Sequence, residues 1–161
     1  METNQVIAER WLARILRAYP SQSAHYFAEL PDPFRNPVGH TYKESAAVLV
    51  DELLGDMNAA RVTTALGRII EIRAVHNLAP RAAVAFLFEL KEILEKERAG
   101  PMLASYLGRV DEMALIAFEL YVQCRERLWE ARANEARRNV YVLERAFAPR
   151  PEVDEPGRGK T

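Results

Sequence analysis

The sequence predicts an all-α bundle of five to six helices that ends in one long C-terminal helix, and three observations lead there. Apolar residues recur at helical spacing through most of the chain, and no segment alternates apolar and polar residues for long enough to make a strand. Prolines fall at the ends of the periodic segments or between them. From Met102 to Ala148 there is no proline and the only glycine is Gly108. That run allows a helix of roughly 60 to 70 Å at about 1.5 Å per residue, whereas a compact chain of this length is only about 40 Å across.

The first helix starts near Thr3 or Asn4 as N-cap, carries Ile7, Trp11 and Ile15 with Ala8, Leu12 and Leu16 as a broad apolar face, and ends at Pro20. A short second helix follows from Ser21 through Tyr26, Phe27 and Leu30. Three prolines and a glycine in residues 31–39 then impose a loop, with Phe34 and Val38 expected to bury. Helix three is expected from Thr41 or Tyr42 to Leu54, with Ala46, Leu49, Val50 and Leu53 on one stripe and Gly55 as its stop. Helix four runs from about Asn58 to Asn77, and its stripe of Val62, Leu66 and Ile69 continues into Arg73 and His76. Helix five opens at Ala79-Pro80 and is apolar at every position from Ala82 to Phe88, the pattern of a helix in the middle of a bundle. Trp11, Ile69, Phe86, Phe88 and Leu90 are expected in the core. Residues 1–147 make one domain with the long helix at about 101–147, and residues 148–161, rich in proline, glycine and charge, are expected to be disordered.

Leu103, Leu107, Val110, Ala114, Ala117, Tyr121, Cys124, Leu128 and Ala131 fall alternately four and three residues apart on the long helix. Such spacing is a coiled-coil seam, and a seam on a helix too long for its own domain needs a second copy to cover it. The expected homodimer interface is therefore Leu107, Val110, Ala114, Ala117, Tyr121, Cys124, Leu128 and Ala131, and Ala117→Glu is expected to give monomers. Beyond it Glu135 and Arg138 take apolar slots, so either the paired helices splay apart there or a different partner covers that face.

Twenty-two basic and 23 acidic residues leave a net charge of −1, too little to draw in a phosphate backbone or an anionic lipid surface. Nucleic acid and membrane are therefore not expected partners. One cysteine, no export signal and no long apolar run place the chain in the cytoplasm. No hydrolase elbow, phosphate-cradling glycine loop or zinc spacing occurs, so neither an enzyme nor a metal site is expected. Arg73 and His76 lie one helical turn apart on the stripe of helix four and mark a possible ligand or polar-switch site. A buried guanidinium there calls for a partner, with Glu89, Asp111 and Glu119 as candidates, unless it snorkels to the surface. No cofactor is expected; the alternative is haem ligated by His76, or another small ligand in a bundle pocket.

The segments Asn36-Pro37-Val38-Gly39, Ile69 to His76, Ala79 to Lys91, Phe118-Glu119-Leu120-Tyr121 and Arg132 to Arg138, in this order, resemble the RsbRD-type N-terminal domain of RsbT co-antagonist proteins. The resemblance covers most of residues 5 to 145. It implies a globin-like input domain of stressosome-like signalling that dimerises and passes a signal through an emergent C-terminal helix. In that family an output module commonly follows, so a separate output protein is expected as partner here.

Overall fold

The computed structural model describes residues 2–29, 32–98 and 100–147, which divide between two compact units at residues 126 and 127. The expected tail lies outside the described residues. Those residues are helical and include no strand: α1 (Glu2–Ile15) with a 3₁₀ turn at Leu16–Ala18, α2 (Ser21–Glu29), α3 (Pro37–Leu54), α4 (Ala59–Val75), α5 (Pro80–Val84), α6 (Phe86–Glu97) and α7 (Leu103–Phe147). In the first unit α3 packs between α1 and α4, and α6 packs on the other side of α1. Ile7, Trp11 and Ile15 of α1, Leu49 and Leu53 of α3, Leu66 and Ile69 of α4 and Leu87 and Leu90 of α6 are fully buried between them.

Helix three begins earlier than the sequence reading has it. Pro37 occupies its first turn, where a missing N–H costs nothing, and the Asn36 side chain caps it by accepting from the Gly39 N–H at 2.9 Å. Asn36 also donates to the Tyr26 and Phe27 carbonyls, so one buried amide ties the end of α2 to the start of α3. Gly39 is the residue that makes this approach possible, because a Cβ there would fall on the Phe27 carbonyl and the Asn36 side chain. Phe34, expected to bury, is 96% exposed at the tip of the turn.

The expected fifth helix is two helices, α5 and α6, broken at Ala85. The Ala82 carbonyl, which would accept from Phe86 in an unbroken helix, instead accepts from Arg73, and the Phe86 carbonyl accepts from the Trp11 indole at 2.7 Å. The break turns Phe86 inward and leaves Phe88 half exposed, against its expected place in the core. Ala82 is exposed too, so this segment is not surrounded on all sides.

Helix α7 is continuous through Gly108. Of the expected seam, Val110, Ala114, Ala117, Tyr121 and Cys124 are buried by their own chain, at 6% exposure or less. Leu107 and Leu128 are half-buried and Ala131 is exposed. The physical reason lies in three side chains of α7 that reach the ends of other helices. Arg109 donates to the Leu53 and Gly55 carbonyls at the end of α3, both at 2.7 Å. The Tyr121 hydroxyl donates to the Leu78 carbonyl at 2.6 Å, and Arg125 donates to the Asn77 side chain at 2.6 Å, just past the end of α4. Cations at helix C-termini are favourable, and they hold this face of α7 against the bundle. In the second unit every residue from 129 to 147 is exposed, including Trp129, Val140, Tyr141, Val142, Leu143 and Phe147.

Candidate functional site

Arg73 is 1% exposed, so it does not snorkel. Its Nη1 donates to the Ala82 carbonyl and its Nη2 to the Ile15 carbonyl, both at 2.8 Å. These are the last turns of α5 and α1, where helix carbonyls carry partial negative charge and lack partners within the helix. The guanidinium also lies 4.4 Å from the centre of the Phe86 ring, and Phe86 stacks on Trp11 with ring centres 5.6 Å apart. A desolvated cation on an aromatic face gains about 2 kcal/mol. Of the carboxylates expected to pair with Arg73, Glu89 acts on it only through its field, while Asp111 pairs with Lys91 at 2.6 Å and Glu119 accepts from Gln123. Burial lowers the Arg73 pKa, and the oxygens of Tyr42 and Tyr19 oppose that shift. Arginine stays charged even so.

From Arg73 a line of side chains leads to the surface. The Tyr42 ring centre lies 5.9 Å from the guanidinium, the Tyr42 and Tyr19 hydroxyls are 2.5 Å apart, and the Tyr19 hydroxyl is 3.1 Å from His76 Nδ1. Tyr42 is fully buried, Tyr19 half-buried and His76 exposed, where it caps α4. Burial raises the Tyr42 pKa strongly, the Tyr19 hydrogen bond adds to this, and Arg73 opposes it. Burial likewise raises that of Tyr19. Both hydroxyls are therefore neutral, and they serve as relays of hydrogen bonds rather than as bases.

Arg73 and His76, adjacent on the sequence stripe, thus belong to one network, but two tyrosines stand between them. Tyr42 was visible in principle, since it lies on the stripe of Ala46, Leu49 and Leu53, and an inward hydroxyl needs a partner. Tyr19 carries no such signal. It sits between a 3₁₀ turn and a proline, where no periodicity places it. His76 is exposed, and its Nδ1 is bonded to the Tyr19 hydroxyl. The other two histidines pair with glutamates one turn on, His25 with Glu29 and His40 with Glu44. Among the described residues no three His, Cys, Asp or Glu side chains converge to hold a metal, and no helix is long and apolar enough to cross a membrane.

The fold is thus an all-helical domain in which buried polar side chains join helix ends. Residues 5–136 match the family model of the RsbT co-antagonist protein rsbRD N-terminal domain, and the chain belongs to that family of stress-signalling regulatory domains. No curated protein and no solved structure matches the chain.

Proposed function

We propose that the domain is a non-catalytic sensory input module, acting in the cytoplasm, that pairs with a second copy through α7 and relays its signal to a separate output protein. One observation carries the pairing. Leu115, Phe118 and Val122 are 73%, 52% and 38% exposed on α7 and stand three and four residues apart, as a coiled-coil stripe does. Each lies one residue after a buried position, Ala114, Ala117 or Tyr121, and the same spacing reaches Trp129. The heptad expected from the sequence is thus present in two phases about 100° apart, and the bulkier phase is uncovered. A stripe of large apolar side chains without a cover marks an interaction surface.

Relay by displacement suits a domain whose ordered interior joins helix ends, and it needs no cofactor. Native mass spectrometry tests the pairing. The parent chain is expected as a dimer, and Leu115→Glu combined with Phe118→Glu as a monomer with unchanged helical circular dichroism. Ala117→Glu, which puts a carboxylate into the fully buried phase, is expected to lose helical signal rather than simply to dissociate. A double variant that stays dimeric overturns the assignment. A ligand-sensing reading is favoured by a second observation, an open hollow of about 510 Å³ beside His76 and Tyr19.

A further inference from the structure

The hollow is walled by Tyr19, Pro20, Phe27, Leu78, Ser23 and His76, with the Tyr19 and Phe27 rings edge to face at 5.3 Å. Its lining divides between polar surface and the ring and aliphatic surface of Tyr19, Pro20, Phe27 and Leu78, and its side-chain polar groups include the Tyr19 and Ser23 hydroxyls and the His76 imidazole.

Hydrogen-bond direction decides what those polar atoms offer. Arg73 is a donor only, and its charge repels any hydroxyl hydrogen that points toward it. The Tyr42 hydrogen is therefore directed to Tyr19, and the Tyr19 hydrogen to His76 Nδ1. With Nδ1 accepting, the imidazole carries its hydrogen on Nε2, so the outer edge of His76 presents a donor. Arg73 makes no ion pair with a carboxylate, and Glu89 opposes its charge only from a distance. The site therefore favours an acceptor that is negatively charged.

Three adjacent residues join this hollow to α7. His76 takes the Tyr19 hydroxyl, Asn77 takes Arg125, and the Leu78 carbonyl takes the Tyr121 hydroxyl. Asn77 is held in the left-handed conformation, φ 58°, and the Leu78 N–H closes the turn onto the Arg73 carbonyl at 3.1 Å. A turn bonded at every residue moves as a unit.

We infer that the hollow beside His76 binds a small aromatic carboxylate, its ring against Tyr19 and Phe27 and its carboxylate on His76 and Ser23, and that occupancy shifts the 76–78 turn and with it the hold on α7 at Tyr121 and Arg125. This rests on the reading of the domain as a sensor and supplies the ligand class for it.

Benzoate is the probe, added to the ¹⁵N-labelled full chain and followed by amide NMR, with benzyl alcohol as its uncharged counterpart. Saturable shifts at Ser23 and Leu78 are expected, with a Kd on the order of 1 mM for so small a ligand in an open site, accompanied by shifts at Tyr121 and Arg125. Benzyl alcohol is expected to bind at least about tenfold more weakly, as a contact that lacks the charge. Tyr42→Phe breaks the hydroxyl chain and His76→Ala removes the surface donor; each is expected to bring benzoate down to the level of benzyl alcohol. His76 is exposed, so that variant keeps the test open if Tyr42→Phe does not fold. Equal binding of the two probes, no saturation, or benzoate affinity unchanged in both variants overturns the assignment. Saturation at Ser23 and Leu78 with still resonances at Tyr121 and Arg125 overturns the link to α7. None of these outcomes bears on the dimer, which native mass spectrometry reads separately without any ligand.

Discussion

Replacing Arg73 with methionine tests whether the domain is held at its centre by a cation on helix ends. Exchanging a buried ion pair for apolar side chains is often neutral, because both charges leave together. Here the partners are the backbone carbonyls of Ile15 and Ala82, which no substitution removes. Methionine fills much of the volume and relieves the desolvation of the guanidinium, but it leaves two buried acceptors without donors at about 1–3 kcal/mol each. Loss of the contact with Phe86 adds about 1–2 kcal/mol. The relief of desolvation offsets part of this, and the net cost is about 3–5 kcal/mol, a large share of the roughly 5–15 kcal/mol that holds a domain of this kind. With a urea dependence of about 2 kcal/mol per molar, the unfolding midpoint falls by about 2 M. Arg73→Lys is expected to lie between parent and methionine variant, since one ammonium retains the charge but not the fork that spans both carbonyls. Urea titration followed by circular dichroism reads all three. A methionine variant within about 1 kcal/mol of the parent would refute the reasoning, for it would mean that the two carbonyls are satisfied without Arg73.

Gly39→Ala is expected to cost about 2 kcal/mol or more and to lower Tm by roughly 4–8 °C, because the new methyl displaces either the Phe27 carbonyl or the Asn36 cap; calorimetry measures it. The pKa values of Tyr19 and Tyr42 are raised above the ordinary 10.0, which fixes a direction for alkaline unfolding. Below about pH 10 both hydroxyls are neutral in folded and unfolded chains alike, and their contribution is constant. Above it the unfolded chain releases protons that the folded one keeps, so the urea midpoint is expected to fall progressively from about pH 10 upward, and to fall less steeply in Tyr42→Phe.

The helices were legible where a stripe was long. Ile7, Trp11 and Ile15, and Val62, Leu66 and Ile69, are buried as their spacing requires. Errors arose where a tertiary bond overrode a local pattern. Nothing within residues 80–97 marks a break at Ala85, because its cause is a guanidinium on another helix that occupies the Ala82 carbonyl. Likewise the sequence points a buried Arg73 to carboxylates, since it displays side chains; backbone carbonyls at helix ends have no letter. The start of α3 was readable from Asn36-Pro37, a cap followed by a first-turn proline, but three prolines in nine residues read more simply as a loop.

The seam on α7 shows why period is easier to read than phase. Val110, Ala114, Ala117 and Cys124 repeat at the same interval as Leu115, Phe118, Val122 and Trp129, so periodicity alone cannot say which set turns inward. The side chains that reach across supply the reason. Arg109, Tyr121 and Arg125 lie in or beside the buried set and donate to groups at the ends of α3 and α4. Conversely, the bulky set is the one that gains from a second helix, at about 1.5–3 kcal/mol for each large side chain brought from exposed to buried. One helix thereby carries two apolar faces through a single repeat, and the residues that fasten it to its own domain alternate with those left exposed.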